Sequence, residues 1–350
     1  MNSKLENQRL AGISQSGIQY IQFKVYDRPY CLWGVDLPQR NLEAINNIDS
    51  EYFEFLGNLY YEQLKSEHKQ KAALAIRATY AHSLETLFSL ISATLQAPHC
   101  FYAWMLKYKP SDVPKIIEEI GDYNFNRHLS PAYNTKISSW KDFALMIHLT
   151  EIKKENEEMA IKYGEFWREL SSDFLSEEFR NEYNSIKHGC RIKSGGFSIS
   201  VGLEDSPGVV VPEDKMASLG GSEYGSSFLI AQEIKGENIG RDPNFKTRRV
   251  SINWNAESNA HALSLISCSI HNIKNFLKSL SNVKEVSFIG PEDLEYFKKP
   301  WENSPGLINC SFDLNIDDTQ ITKKNHKGIE SIFQIFKDTK NDEHSEINNA

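Results

Sequence analysis

The chain has 350 residues, with 39 Lys and Arg against 47 Asp and Glu and a formal net charge of −8 at pH 7. That length suits one large domain or two moderate ones with ample core, and the acidic balance argues against indiscriminate wrapping of nucleic acid while leaving room for a local basic patch. No run approaches the roughly 18 continuous apolar residues of a membrane span, the first residues lack the apolar block of a secretory signal, and Cys31, Cys100, Cys190, Cys268 and Cys310 form no Cys-x-x-Cys pair. The expectation is a cytoplasmic protein with reduced thiols, no membrane association, and no metal or cofactor.

Ile21, Phe23 and Val25 alternate with polar neighbours, as in a half-buried strand stopped by Asp27-Arg28-Pro29. Over residues 49–96 the period turns helical. Phe53, Leu56, Tyr60 and Leu64, then Ala73, Ile76, Tyr80, Leu84, Leu87 and Ile91, recur at three and four, giving one long helix or two broken near 66–70. Shorter helices follow over 100–108 and 113–120, then an irregular stretch over 122–138. A helix through Trp140, Phe143 and Ile147 sits behind the capping serines Ser138 and Ser139, and a second covers about 156–170.

The next helix starts at the cap Ser176 and ends at Gly189. After it, the segments 197–201, 209–211, 228–234 and 250–254 read as strands of a small insert, with Gly220-Gly221 and Asp242-Pro243 as turns. Helical spacing returns from Ala260 through Ile266 and Ile273 to Leu280, with Ser258 as the N-cap, and this apolar stripe is expected to pack on the helix ending near His188. Ile308, Cys310, Phe312, Leu314 and Ile316 alternate as a strand, a short helix passes through Ile329 and Phe336, and the polar tail 339–350 reads as disordered.

The segment 179–189 carries the one constellation that suggests chemistry. Helical spacing stacks Arg180, Asn184 and His188 on one stripe, opposite an apolar stripe of Phe179, Tyr183 and Ile186. An imidazole moves protons near neutrality, a guanidinium stabilises a phosphate oxygen, and an amide orients either partner. Together they suit cleavage of a ribose-phosphate backbone by its own 2′-hydroxyl without a metal. The bland alternative has His188 and Lys187 answering the helix dipole and Arg180 paired with a carboxylate such as Glu177. Lys187, Arg191 and Lys193 follow directly, and Arg248 and Arg249 lie on a strand of the insert, so a path for RNA phosphates is available to them.

Long helices holding Arg180-Asn181 and a histidine at His188 resemble the HEPN superfamily, which includes metal-independent ribonucleases of toxin and antiphage systems. Arg180 and His188 enclose seven residues, whereas that family usually has four to six. Arg77 and His82 enclose four, but Ala78 is not the polar residue that the family favours after its Arg. The resemblance implies His188 as general base or acid, Arg180 stabilising the phosphorane, Asn184 as orienting group, and a homodimer.

The expected class is therefore α+β: a helical bundle with a small antiparallel β insert and peripheral terminal strands. Residues 1–48 form an N-terminal segment with one strand, 49–281 an HEPN-like bundle with the insert at about 190–256, and 282–338 a C-terminal strand-helix segment. The expected function is RNA binding or cleavage, in a stress or antiphage effector. The alternative is a non-enzymatic interaction module that binds a regulatory protein partner.

Overall fold

Apolar and small residues cover almost every side of the second half of one helix, Lys69–Gln96, where Leu84, Leu87, Phe88, Ile91 and Leu95 are all fully buried. A helix apolar all round must be enclosed by other elements. The computed structural model that reveals its neighbours describes residues 11–13, 18–148, 157–189, 191–204, 206, 208–233, 245–305 and 308–313. The fold is α+β.

The chain divides into two compact units, Met1–Leu229 with Val250–Cys310, and Ile230–Arg249 with Ser311–Ala350. In the larger unit, β1 (Ala11–Ile13), β2 (Gln19–Val25) and β3 (Arg28–Gly34) form an antiparallel sheet in that order. β2 ends at Val25, as the stop after it requires, but the chain turns at Tyr26-Asp27, and Arg28 and Pro29 already belong to β3, where Pro29 pairs with Lys24. Helices α1 (Leu37–Asn46), α2 (Tyr52–Gln63) and α3 (Lys69–Gln96) follow. The helical period over 49–96 is thus two helices, parted at 64–68, where the polar run Lys65-Ser66-Glu67-His68 follows Leu64.

Next come α4 (Phe101–Lys107), α5 (Asp112–Gly121), the single turn α6 (Phe125–His128), α7 (Trp140–His148), α8 (Glu157–Leu175) and α9 (Glu177–Lys187). Ser139 accepts from the amide of Asp142 at 3.1 Å, which starts α7. Helices α7 and α8 run close because residue 164 is glycine: a Cβ there would lie 2.8 Å from the carbonyl oxygen of Trp140.

Strands β4 (Ile192–Ser194), β5 (Ser198–Val201), β6 (Ala217–Gly221), β7 (Gly225–Glu233) and β8 (Phe245–Asn253) occupy the expected insert. β5 and β6 form an antiparallel ribbon. β4, β7, β8 and β9 (Asn309–Asp313) form the second sheet in that order, with β4 antiparallel to β7. Outer parts of β7, β8 and β9 belong to the smaller unit. The apolar triplet Val209 to Val211 is not a strand. Val209 and Val210 are exposed, and period alone cannot supply a pairing partner.

Helix α10 (Ala256–Leu280) closes the larger unit. Its N-cap is Asn255, whose Oδ1 accepts from the amide of Ser258 at 2.9 Å; Ser258, expected as the cap, lies inside the first turn. The stripe Leu263, Ile266, Ile270, Ile273 and Leu277 is fully buried, as its period requires. Its main partners are α3 and α2, not α9 as expected, because Gly57 on α2 lets the Leu263 side chain approach its backbone. The expected helix over 329–336 and the tail from 339 lie outside the described residues.

A buried polar knot ties the N-terminal hairpin to the end of α3. Gln96 accepts from the amide of Tyr26 (2.8 Å) and the indole of Trp104 (3.0 Å), and donates to the Tyr26 carbonyl (3.1 Å) and to His128 Nδ1 (3.0 Å). The proton of His128 is thereby placed on Nε2, which faces the Glu119 carboxylate at 2.9 Å. Burial pulls the His128 imidazole below its ordinary pKa despite that carboxylate.

Two measurements follow from this packing. Ile266→Ala removes a fully buried side chain of α10 and is expected to cost about 2–5 kcal/mol, read by urea denaturation. A histidine with a lowered folded-state pKa contributes stability that is complete above its unfolded value of about 6.5 and is lost as the pH falls. The melting midpoint should therefore drop between about pH 7 and pH 5, and less steeply in His128→Gln.

Candidate functional site

Helix α9 starts as its sequence dictates, with Ser176 Oγ accepting from the Phe179 amide at 3.3 Å and Glu177 and Glu178 in the first turn. It ends at Lys187. His188 is the C-cap, with φ −102° and ψ 59°, and Gly189 takes the positive φ of 102° that turns the chain away.

The inward face differs from the stripe of Phe179, Tyr183 and Ile186. The buried residues are Phe179, Glu182 and Ser185, while Tyr183 and Ile186 are half-buried. The reason is a buried ion pair. Arg77 of α3 donates from Nε to Glu182 Oε2 at 2.9 Å, and its Nη2 stands 2.9 Å from the same oxygen as an ion pair. Glu182 Oε1 accepts from Ser226 Oγ at 2.5 Å and from the Trp254 indole at 2.9 Å. The guanidinium lies 4.5 Å from the centre of the Phe179 ring and 5.7 Å from those of Tyr80 and Trp254. A carboxylate 1% exposed is tolerable only with this full set of donors.

Turning Glu182 inward turns Arg180, Asn184 and Lys187 outward. All three are exposed and line one cleft of about 320 Å³ between α9, α3 and the start of α5. Tyr108, Pro110, Val113 and Pro114 form the facing wall, and Ala81, Glu85 and Ser89 of α3 the floor. Arg180 has no ion-pair partner among the described residues, so it is not held by Glu177. Lys187 Nζ lies 3.8 Å from Glu85 and 5.4 Å from the centre of the Tyr183 ring. Burial, then the charge of Glu85 and a hydrogen bond to it, push the Tyr183 phenol well above its ordinary pKa. Tyr183 is therefore a hydrogen-bond donor at neutral pH.

The structure thus brings Arg180, Asn184 and Lys187 together. His188 is exposed at the helix end and is not among the residues lining the cleft. Arg191 is exposed just beyond, and Lys193 is exposed on β4 opposite Ser227 of β7; neither has an ion-pair partner among the described residues. Arg248 and Arg249 lie on β8 in the smaller unit, where Arg248 donates to Ser311 and Arg249 is exposed. Of the rival pair, Arg77 is buried, while His82 is exposed and edges onto the Phe53 ring.

Sequence reasoning missed Glu182 and the buried role of Arg77. A signal existed: Arg77 falls on the inner face of α3 beside Ala73, Ile76, Tyr80 and Leu84, where a lone cation demands a buried anion.

Among the described residues no group of His, Cys, Asp and Glu is placed to hold a metal ion, and no helix is long and apolar enough to cross a membrane. No protein-family model matches the chain, and neither a curated protein nor a solved structure matches it.

The ion pair gives a stability test. Glu182→Ala strands the Arg77 guanidinium and is expected to cost about 3–5 kcal/mol by denaturant unfolding, whereas Arg77→Met combined with Glu182→Leu should recover most of that loss.

Proposed function

We propose that this protein binds RNA through the α9 cleft and cuts it without a metal, as an HEPN-like helical bundle acting as a stress or antiphage effector. The observation that carries the reading is the cleft itself: an exposed guanidinium without a carboxylate partner shares it with an amide and an ammonium. Arg180 takes a phosphate oxygen and stabilises the charge that grows on the phosphorane. Asn184, one turn on, orients that group, and Lys187 adds a second cation whose charge Glu85 only partly answers at 3.8 Å. Arg191 and Lys193 extend the track for the backbone beyond the helix end. Arg248 and Arg249 contribute further phosphate contacts from their own unit.

His188, exposed at the rim, takes the proton of the attacking 2′-hydroxyl or delivers one to the leaving oxygen. A homodimer, as the family resemblance implies, brings a second helix end to the substrate. The competing reading, a module that docks a regulatory protein, has one observation in its favour. Tyr52, Phe55 and Leu59 follow each other on one face of α2 and are 43%, 62% and 44% exposed.

The test uses a labelled single-stranded RNA in chelator-containing buffer, with binding read by anisotropy and cleavage by gel. Arg180→Ala and Lys187→Ala should each weaken binding and reduce the salt slope of log K by about 1. His188→Ala should abolish cleavage and leave binding within about twofold. Wild-type protein that neither binds nor cuts RNA would hand the site to the interaction reading.

A further inference from the structure

Another cavity, of about 210 Å³, lies within the larger unit and has Arg77 in its lining. Its lining combines the opposite charges Arg77 and Asp173 with Tyr80, Asn259 and the indoles of Trp254 and Trp301. Neither charged group is exhausted by the protein. Arg77 spends Nε and Nη2 on Glu182, and Nη1 has no hydrogen-bond partner among the described residues. Asp173 Oδ2 accepts from the Tyr80 hydroxyl at 2.6 Å, and Oδ1 has no partner among the described residues.

Asn259 adds an independent sign. It is 7% exposed, it lines this cavity, and its Nδ2 is buried without a hydrogen-bond partner. An unsatisfied buried amide costs free energy and calls for an explanation. Its terminal torsion is soft, so a turn of the amide presents the donor to a bound acceptor. The remaining wall sets the apolar Ile252, Ala262, Pro300 and Pro305 beside the polar Asn255, Ser258 and Ser304.

We infer that this cavity binds a free α-amino acid with an apolar side chain. The ligand carboxylate accepts from Arg77 Nη1 and the Asn259 amide, the α-ammonium pairs with Asp173 Oδ1, and the side chain lies against Trp254 and Trp301. Both ligand charges then meet fixed partners, which a neutral heterocycle does not achieve: it leaves the Asp173 carboxylate without a counter-charge. The volume is below that of drug-sized pockets and suits a small metabolite. The site is separate from the RNA cleft, with which it shares no lining residue.

Isothermal titration of the full chain with L-leucine and L-phenylalanine decides it. Saturable binding is expected for at least one of them, weakened at least tenfold in 3-phenylpropionate, which lacks the ammonium, and in phenethylamine, which lacks the carboxylate. Asp173→Asn and Asn259→Leu, each checked for native folding by circular dichroism, should lose at least tenfold in affinity, while Arg180→Ala should leave it unchanged. No binding by a set of apolar amino acids, equal binding of the singly charged analogues, preferential binding of adenosine, or full affinity in folded Asn259→Leu would each overturn the assignment.

Discussion

The buried pair of Arg77 and Glu182 sets the orientation of the helix on which the candidate site is built. An isolated charge cannot be left in an apolar interior, so α9 has essentially one rotational setting that satisfies Glu182. At about 100° per residue, Arg180, Asn184 and Lys187 lie roughly 140–200° around the helix from Glu182, while Phe179 and Ser185 lie within about 60° of it. The inward carboxylate and the outward polar stripe are thus two consequences of one contact. Ser226 and Trp254 bind the same carboxylate, so the strands that follow α9 are tied to it as well.

Helix α3 distributes such anchors along its length. Arg77 near its start holds α9, and Gln96 at its end holds the N-terminal hairpin, α4 and α6 through Tyr26, Trp104 and His128. At 1.5 Å per residue these anchors are about 28 Å apart, with the buried apolar row Leu84, Leu87, Phe88, Ile91 and Leu95 between them. Apolar burial supplies the bulk of the driving force but is indifferent to small rotations, whereas each polar knot is satisfied in only one register. A helix with such a knot at either end holds its neighbours in fixed phase while the apolar row between them is packed by shape.

Much of this arrangement was legible in the sequence. The period of three and four through Leu263, Ile266, Ile270 and Ile273 locates α10, and the serines before Trp140 and Phe179 mark true helix starts, because capping and amphipathicity are local properties. Pairings between distant residues were not. Glu182 meets Arg77 across 105 positions, and local spacing groups Glu182 with the solvated residues of its helix. The same blindness assigned α10 to α9 when its stripe meets α3 and α2. It also made a strand of Val209 to Val211, where apolar side chains are left in solvent. The cluster of Arg180 with Asn184 was readable because both sit on one helix; that Lys187 joins them in the cleft and His188 does not follows from where the helix stops.

That stopping point bears on how an anion would approach. The carbonyl end of α9 carries partial negative charge, which stabilises Lys187 within the last turn and Arg191 just beyond it but repels a phosphate arriving along the axis. Arg180 lies in the first turn, where the dipole favours an anion instead. The dipole thus favours an anion at Arg180, while the cations Lys187 and Arg191 set their full charges against it at the other end. The imidazole stands about two turns away along the helix, roughly 12 Å for eight residues. In the proposed RNA reading, Arg180 and His188 of one α9 stand too far apart along the helix to meet at a single phosphorane, and the histidine of a second copy is what that chemistry calls for.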